Sequence, residues 1–140
     1  MTETVEEHFV GKIAQKGIIE HEGKVLITRD SRDATTWELP GGRLNLDERP
    51  VDGLARELKE ELGVECEIRE ILYAAQFKHT TSHTATVALI YRVELKKDRG
   101  EFNVDPLEIA EMAWVDKDSW ENYRLFPEYE RALRDYFASL

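Results

Sequence analysis

The spacing of apolar residues changes several times along the chain, and each change marks an element. From Phe9 to Ile19 apolar and polar positions mix in a stretch that predicts a first strand. His21-Glu22-Gly23-Lys24 is a turn signal, and Val25-Leu26-Ile27-Thr28 is a β-branched second strand. Asp30 to Thr35 is polar and predicts a loop, and Trp37-Glu38-Leu39 predicts a short strand stopped by Pro40-Gly41-Gly42. The period then becomes helical. Val51, Leu54, Leu58 and Leu62 share one face between Pro50 and Leu62, with Ala55 beside them. Pro50 suits the first turn and Gly63 the position just past the end. Gly53 inside this helix costs about 1 kcal/mol relative to alanine, so either the backbone is closely approached there or the helix tolerates it. Two longer strands, Glu65 to Phe77 and Thr84 to Leu95, are joined around Lys78 to His83. A charged loop, Asp98 to Asp105, precedes a last short strand, Met112 to Val115. Pro127 to Leu140 predicts a second helix whose stripe of Tyr129, Leu133, Tyr136, Phe137 and Leu140 reads as core. Strands with one helix in the middle and another at the end predict an α/β protein with a mixed sheet between helices.

Composition narrows the class. The 140 residues suit one domain, and no linker, repeat or low-complexity segment divides them. An apolar share of 41% with 34% charged residues points to a folded chain rather than a disordered one. The formal net charge of -10 disfavours long-range attraction to nucleic acid or to anionic membranes. A polyanionic substrate would then need something cationic between it and the protein. A lone cysteine, Cys66, excludes an internal disulfide, and its strand-like surroundings make it a packing residue. Met1 to His8 is acidic and lacks the apolar region of a signal peptide, and no run is long enough to span a bilayer. A cytoplasmic protein with no membrane partner is the expectation.

Candidate chemistry concentrates between Gly42 and Val64, GRLNLDERPVDGLARELKEELGV. Glu57, Glu60 and Glu61 are spaced i, i+3, i+4 and project from one helix face, on a different arc from the leucines. Glu57 and Glu61 form a like-charge pair that costs a bare helix a few tenths of a kcal/mol. Clustered carboxylates are the hard oxygen ligands that Mg²⁺ or Mn²⁺ prefers, and such an ion turns repulsion into attraction. Taken alone, the triad is better explained as a solvated acidic face, because exposed glutamate is common on helices. Context changes that balance. A Pro-Gly-Gly loop leads into the helix and admits close approach of a ligand to the backbone. Arg56 precedes Glu57 and can bind a carboxylate with two parallel bonds, with Glu48 upstream as partner.

The segment resembles the Nudix box, G-x5-E-x7-R-E-U-x-E-E-x-G-U, where U is a bulky apolar residue. Gly42, Glu48, Arg56, Glu57, Glu60, Glu61 and Gly63 fill the fixed positions, and Leu58 and Val64 the apolar ones, with no insertion. The lead-in Trp37-Glu38-Leu39-Pro40-Gly41-Gly42 is also similar to that of the family. Asn45 and Asp47 depart from the commonest residues, Glu and Gly, at two variable positions. The resemblance implies a MutT-like Nudix hydrolase over residues 1–140, an α/β/α sandwich. It implies Mg²⁺- or Mn²⁺-assisted attack of water on phosphorus in a nucleoside diphosphate linked to another group. It also implies that Glu57, Glu60 and Glu61 are catalytic and hold the metal, with the Gly41 carbonyl and Glu108 as further ligands. Gly42, Glu48 and Arg56 would support the site. The metal would also reconcile an acidic protein with a polyanionic substrate.

The resemblance leaves the general base open between Glu57, Glu108 and Glu111. Arg29, at a strand end, and His79, in the polar loop with Thr80, Thr81, Ser82 and His83, are candidate substrate contacts, though each also reads as an ordinary surface residue. The proline of ADP-ribose pyrophosphatases and the tyrosine of diadenosine polyphosphate hydrolases are replaced by Thr80 and by Thr81 and Ser82. A nucleoside triphosphate or a less specific nucleotide substrate is therefore favoured, with a nucleotide sugar still open. A homodimer is compatible with the family. The alternative is a silent Nudix-fold module that senses a nucleotide without turnover. The intact carboxylates argue against it. An isomerase on the same fold needs a cysteine before the box, and Cys66 follows it.

Overall fold

A computed structural model describes residues 6–78, 83–96 and 102–140. Seven strands and two helices follow in the order β1 (Lys12–His21), β2 (Lys24–Asp30), β3 (Trp37–Glu38), β4 (Gly41–Arg43), α1 (Pro50–Leu62), β5 (Cys66–Lys78), β6 (Ala85–Leu95), β7 (Ile109–Val115) and α2 (Pro127–Ala138). A short 3-10 turn, Trp120–Asn122, precedes α2.

The strand run is β3-β2-β1-β6-β5, with β4 added on β1 and β7 on β2. The β1–β6 pairing is parallel, from Lys12 opposite Thr86 to Ile19 opposite Val93. The other pairings are antiparallel, so the sheet is mixed. Side chains of successive strand residues point to opposite faces, which lets the central strands feed two cores at once. Ile18 and Ile27 join Ile90, Leu133 and Tyr129 under α2. Their neighbours Ile19 and Leu26 join Leu54, Leu58 and Leu62 under α1. Each leucine fully buried in this way contributes about 1.5–3 kcal/mol. The result is a sheet held between helices, the α/β/α sandwich expected from the sequence.

Helix α1 keeps the bounds that Pro50 and Gly63 predict: Gly63, in the left-handed conformation at φ 69°, closes it by donating to the Lys59 carbonyl. Three differences from expectation stand out among smaller shifts at strand and helix ends. β1 begins at Lys12, leaving Phe9 and Val10 exposed before it. β7 begins at Ile109, three residues earlier than its apolar pattern suggests, because Asp30 offers it a partner. The Gly41-Gly42 segment, expected as part of a loop, belongs to a strand, β4, that pairs with Ala14 to Lys16 of β1. That pairing ties the start of the box to the central strand. The part of the expected 98–105 loop at residues 102–105 is irregular and docks on the end of α1, where the N–H groups of Asn103 and Asp105 donate to the Leu62 and Glu61 carbonyls at 2.8 and 2.9 Å. No described helix is long and apolar enough to cross a membrane.

Candidate active site

Strand β4 meets helix α1 through its two glycines. Gly41 has φ 137°, and a β-carbon there would lie 2.2 Å from the Gln15 carbonyl oxygen. No other residue fits that backbone. At Gly42 a β-carbon would lie 2.5 Å from the carboxyl carbon of Glu57. The Glu57 carboxylate therefore rests directly on the β4 backbone.

Glu61 lies one turn further along α1. Its carboxylate accepts the Gly41 N–H, and the residue is only 8% exposed. The sequence placed it on an arc apart from the leucines, but it turns in beside Leu58 and Leu62, under β4. Burial pushes its pKa up to about 8, even though Lys16 pulls the other way. Burial also raises Glu57, against the opposing pull of Arg56. Glu60 is the outermost of the three, with its side chain 59% exposed.

Arg56 organises these acids from the loop side. Its Nε and Nη2 donate to the two carboxylate oxygens of Glu48 at 3.0 and 2.9 Å. The same guanidinium donates to Glu57 and to Glu60, each at 3.1 Å and each through one carboxylate oxygen. Glu48 in turn accepts the Asn45 N–H at 2.9 Å, and Arg56 holds its carboxyl below the usual range. Four charged groups, Glu48, Arg56, Glu57 and Glu60, are thus bound into a strap from the loop to the helix.

The opposite wall was not foreseen. Lys16, in the middle of β1, is buried, and its Nζ lies 3.3 Å from Glu38 Oε1 and 3.4 Å from the Gly41 carbonyl oxygen. It also sits 5.6 Å from the centroid of the Tyr129 ring. Burial alone would lower its pKa, but Glu38, Tyr129 and Glu61 together drive it well above the ordinary lysine value. The sequence carries only a weak signal of it: Gln15 and Lys16 fall side by side between the apolar pairs Ile13-Ala14 and Ile18-Ile19.

The other expected residues are placed as follows. Glu108 is exposed; its backbone carbonyl accepts the Ser31 N–H at 3.0 Å, on the loop that docks against α1. Arg29, a candidate substrate contact that also reads as a surface residue, donates to the Asp33 carbonyl at 2.8 Å and to Glu111 at 2.7 Å. Its guanidinium latches the 31–36 loop to β7. His79 lies outside the described residues.

In this arrangement no three described His, Cys, Asp or Glu side chains converge as a ready metal cage. The donors nevertheless fit a hard divalent ion. They are all oxygens, Glu61 is a buried carboxylate whose charge lacks full compensation, and the Gly41 carbonyl already accepts a cation's hydrogen bond.

The NUDIX domain family matches residues 17–136, from the middle of β1 into α2. The chain belongs to this family. A MutT-like protein of Streptomyces ambofaciens is 37% identical over 72% of this chain and 60% of its own length. The CTP pyrophosphohydrolase of Escherichia coli is 40% identical over 42% of this chain and 46% of its own length. The chain thus spans about half to three-fifths of these relatives. A NUDIX hydrolase structure from Nitrosomonas europaea superposes with a TM-score of 0.76 at 25% identity, over 94% of this chain and 73% of the other. Family membership and fold are what this Nudix protein shares with known Nudix hydrolases.

Proposed function

We propose that this Nudix hydrolase cleaves a phosphoanhydride of a nucleoside triphosphate or related nucleotide in a Mg²⁺- or Mn²⁺-dependent reaction. One observation carries the reading: Glu57 and Glu61 are packed on the Gly41-Gly42 backbone, so carboxylates from α1 and a carbonyl from β4 border one place. Glu57, Glu60, Glu61 and the Gly41 carbonyl would hold the ion, with Glu108 a further ligand from its docked loop. Bound there, the ion supplies charge neutralisation for the phosphates and acidifies water.

The chain's own groups do the remaining work. Arg56, spanning Glu48, Glu57 and Glu60, fixes the carboxylates in register before substrate arrives. Lys16 and Glu38 form the wall opposite α1. Proton acceptance from water falls to Glu57 or Glu108. Glu111 is a weaker candidate, because Arg29 engages it. In the base's glutamine variant kcat falls while metal affinity stays; in a pure ligand's variant both fall.

The test is a hydrolysis screen of nucleoside triphosphates, ADP-ribose, nucleotide sugars and dinucleoside polyphosphates with Mg²⁺, products resolved by chromatography. Turnover of triphosphates is expected, lost in EDTA and largely lost in Glu60→Gln and Glu61→Gln, both of which should fold. Full activity in both variants would sink the ligand assignment. Tight nucleotide binding with no turnover on any substrate would favour the sensing module instead.

A further inference from the structure

A lysine in the middle of a central strand is unusual, because ammonium groups are rarely buried unless they are paired. Lys16 is 6% exposed, and its neighbours explain where its charge is spent. Glu38 holds it from β3, the Gly41 carbonyl from β4, and Glu61 attracts it from α1. Two of those three groups, the Gly41 carbonyl and Glu61, belong to the donor set assigned above to the divalent ion. Arg56 balances charge on the other side through Glu48, Glu57 and Glu60. The proposed metal site therefore includes a cation of the protein's own, the Lys16 ammonium carried by β1.

We propose that Lys16 is a tethered competitor of the free divalent ion, holding the Gly41 carbonyl and offsetting Glu61 until a metal–nucleotide complex arrives. A free dication is repelled by the ammonium at short range. A metal bound to a triphosphate carries a net negative charge, and the same ammonium attracts it. Lys16 thereby makes the site poor at collecting bare metal and good at accepting metal with its substrate. It acts through the ligands rather than on the reacting atoms, so it is a positioning residue. The inference rests on the metal assignment of the preceding section.

The experiment measures Mg²⁺ binding by calorimetry without nucleotide, at about pH 9 so that protons do not compete with the ion. The proteins are the wild type, Lys16→Met, Lys16→Gln and Glu61→Gln, with circular dichroism and melting curves as folding controls. Lys16→Gln keeps a hydrogen-bond donor for Gly41 without the charge, and it carries the test if Lys16→Met does not fold. The neutral variants are expected to bind free Mg²⁺ tighter by about tenfold. Their KM for nucleotide at saturating Mg²⁺ should rise. Structural damage alone would weaken both, so opposite signs distinguish the proposed role. Unchanged or weaker Mg²⁺ binding in the neutral variants, with Glu61→Gln losing the ion, overturns this inference and leaves the metal site standing. Wild-type-like binding in Glu61→Gln overturns both.

Discussion

At residue scale, Gly53 shows how a position that is costly locally can be required by its neighbours. A β-carbon there would lie 2.4 Å from Gln15 Nε2 and 2.7 Å from Glu48 Oε1. The helix backbone is thus clamped between the central strand and the carboxylate that Arg56 binds. Gly53→Ala should gain about 1 kcal/mol of helix propensity but lose more to overpacking, for a net loss of about 1–2 kcal/mol in urea unfolding. A more stable variant would remove the clamp from the explanation. The sequence offered close approach at Gly53 as one of two readings but could not name the neighbour, because Gln15 is distant in the chain and close only in the fold. The same limit hid Lys16 and Glu38. A lysine and a glutamate in strands look like surface residues until β3, β4 and α1 close over them. The partners of Arg29 were out of reach for a related reason: the Asp33 carbonyl and Glu111 are brought to it by the β2–β7 pairing. By contrast, Glu57, Glu60, Glu61, Glu48 and Arg56 were legible as a group, because most of their geometry is the local geometry of one helix and the loop before it.

At the scale of elements, the strap from loop to helix is a unit whose parts fail together. Arg56→Lys keeps the charge but cannot span the two oxygens of Glu48 while reaching Glu57 and Glu60. We expect kcat/KM to fall by about 10- to 100-fold, with a small change in melting temperature. Glu48→Gln should produce a loss of the same size, and the double variant should cost little more than either single one. Fully additive losses would show that the two residues act separately. Helix α1 was legible to the residue because its start and stop are chemical: proline at one end, glycine at the other. β4 was not, since it is three residues with two glycines, and only its pairing with β1 makes it a strand. The two-glycine lead-in reads as a loop in isolation and as the floor of the site in context.

For the whole molecule, charge sets how stability follows pH. Glu61 has a folded-state pKa raised to about 8 from the model-peptide value of 4.5. The folded protein therefore binds this proton more tightly than the unfolded chain does. The stabilisation is complete below the unfolded pKa and is lost as pH rises through the folded one. In EDTA the melting temperature should decline between about pH 5 and about pH 9, by an amount corresponding to a few kcal/mol at most. Glu61→Gln should flatten that decline, and Mg²⁺ should restore wild-type stability at the alkaline end. An equally steep decline in Glu61→Gln would assign it to other groups. The fold class was legible from element order, and the helices' apolar faces identified much of the core. The parallel joining of β1 to β6 was not, since nothing local in either strand names its partner. That joining has a kinetic consequence. Lys12 meets Thr86, and Ile19 meets Val93, so the middle of the sheet is closed by segments far apart along the chain. A growing polypeptide can form α1 early, but β1 waits for β6 to leave the ribosome before its parallel edge is covered. Loop closure of that length must be paid before the contacts repay it, so refolding belongs with slower domains of high contact order. During synthesis, a chaperone that shields this exposed edge would raise the yield of folded protein more than one that assists the helices.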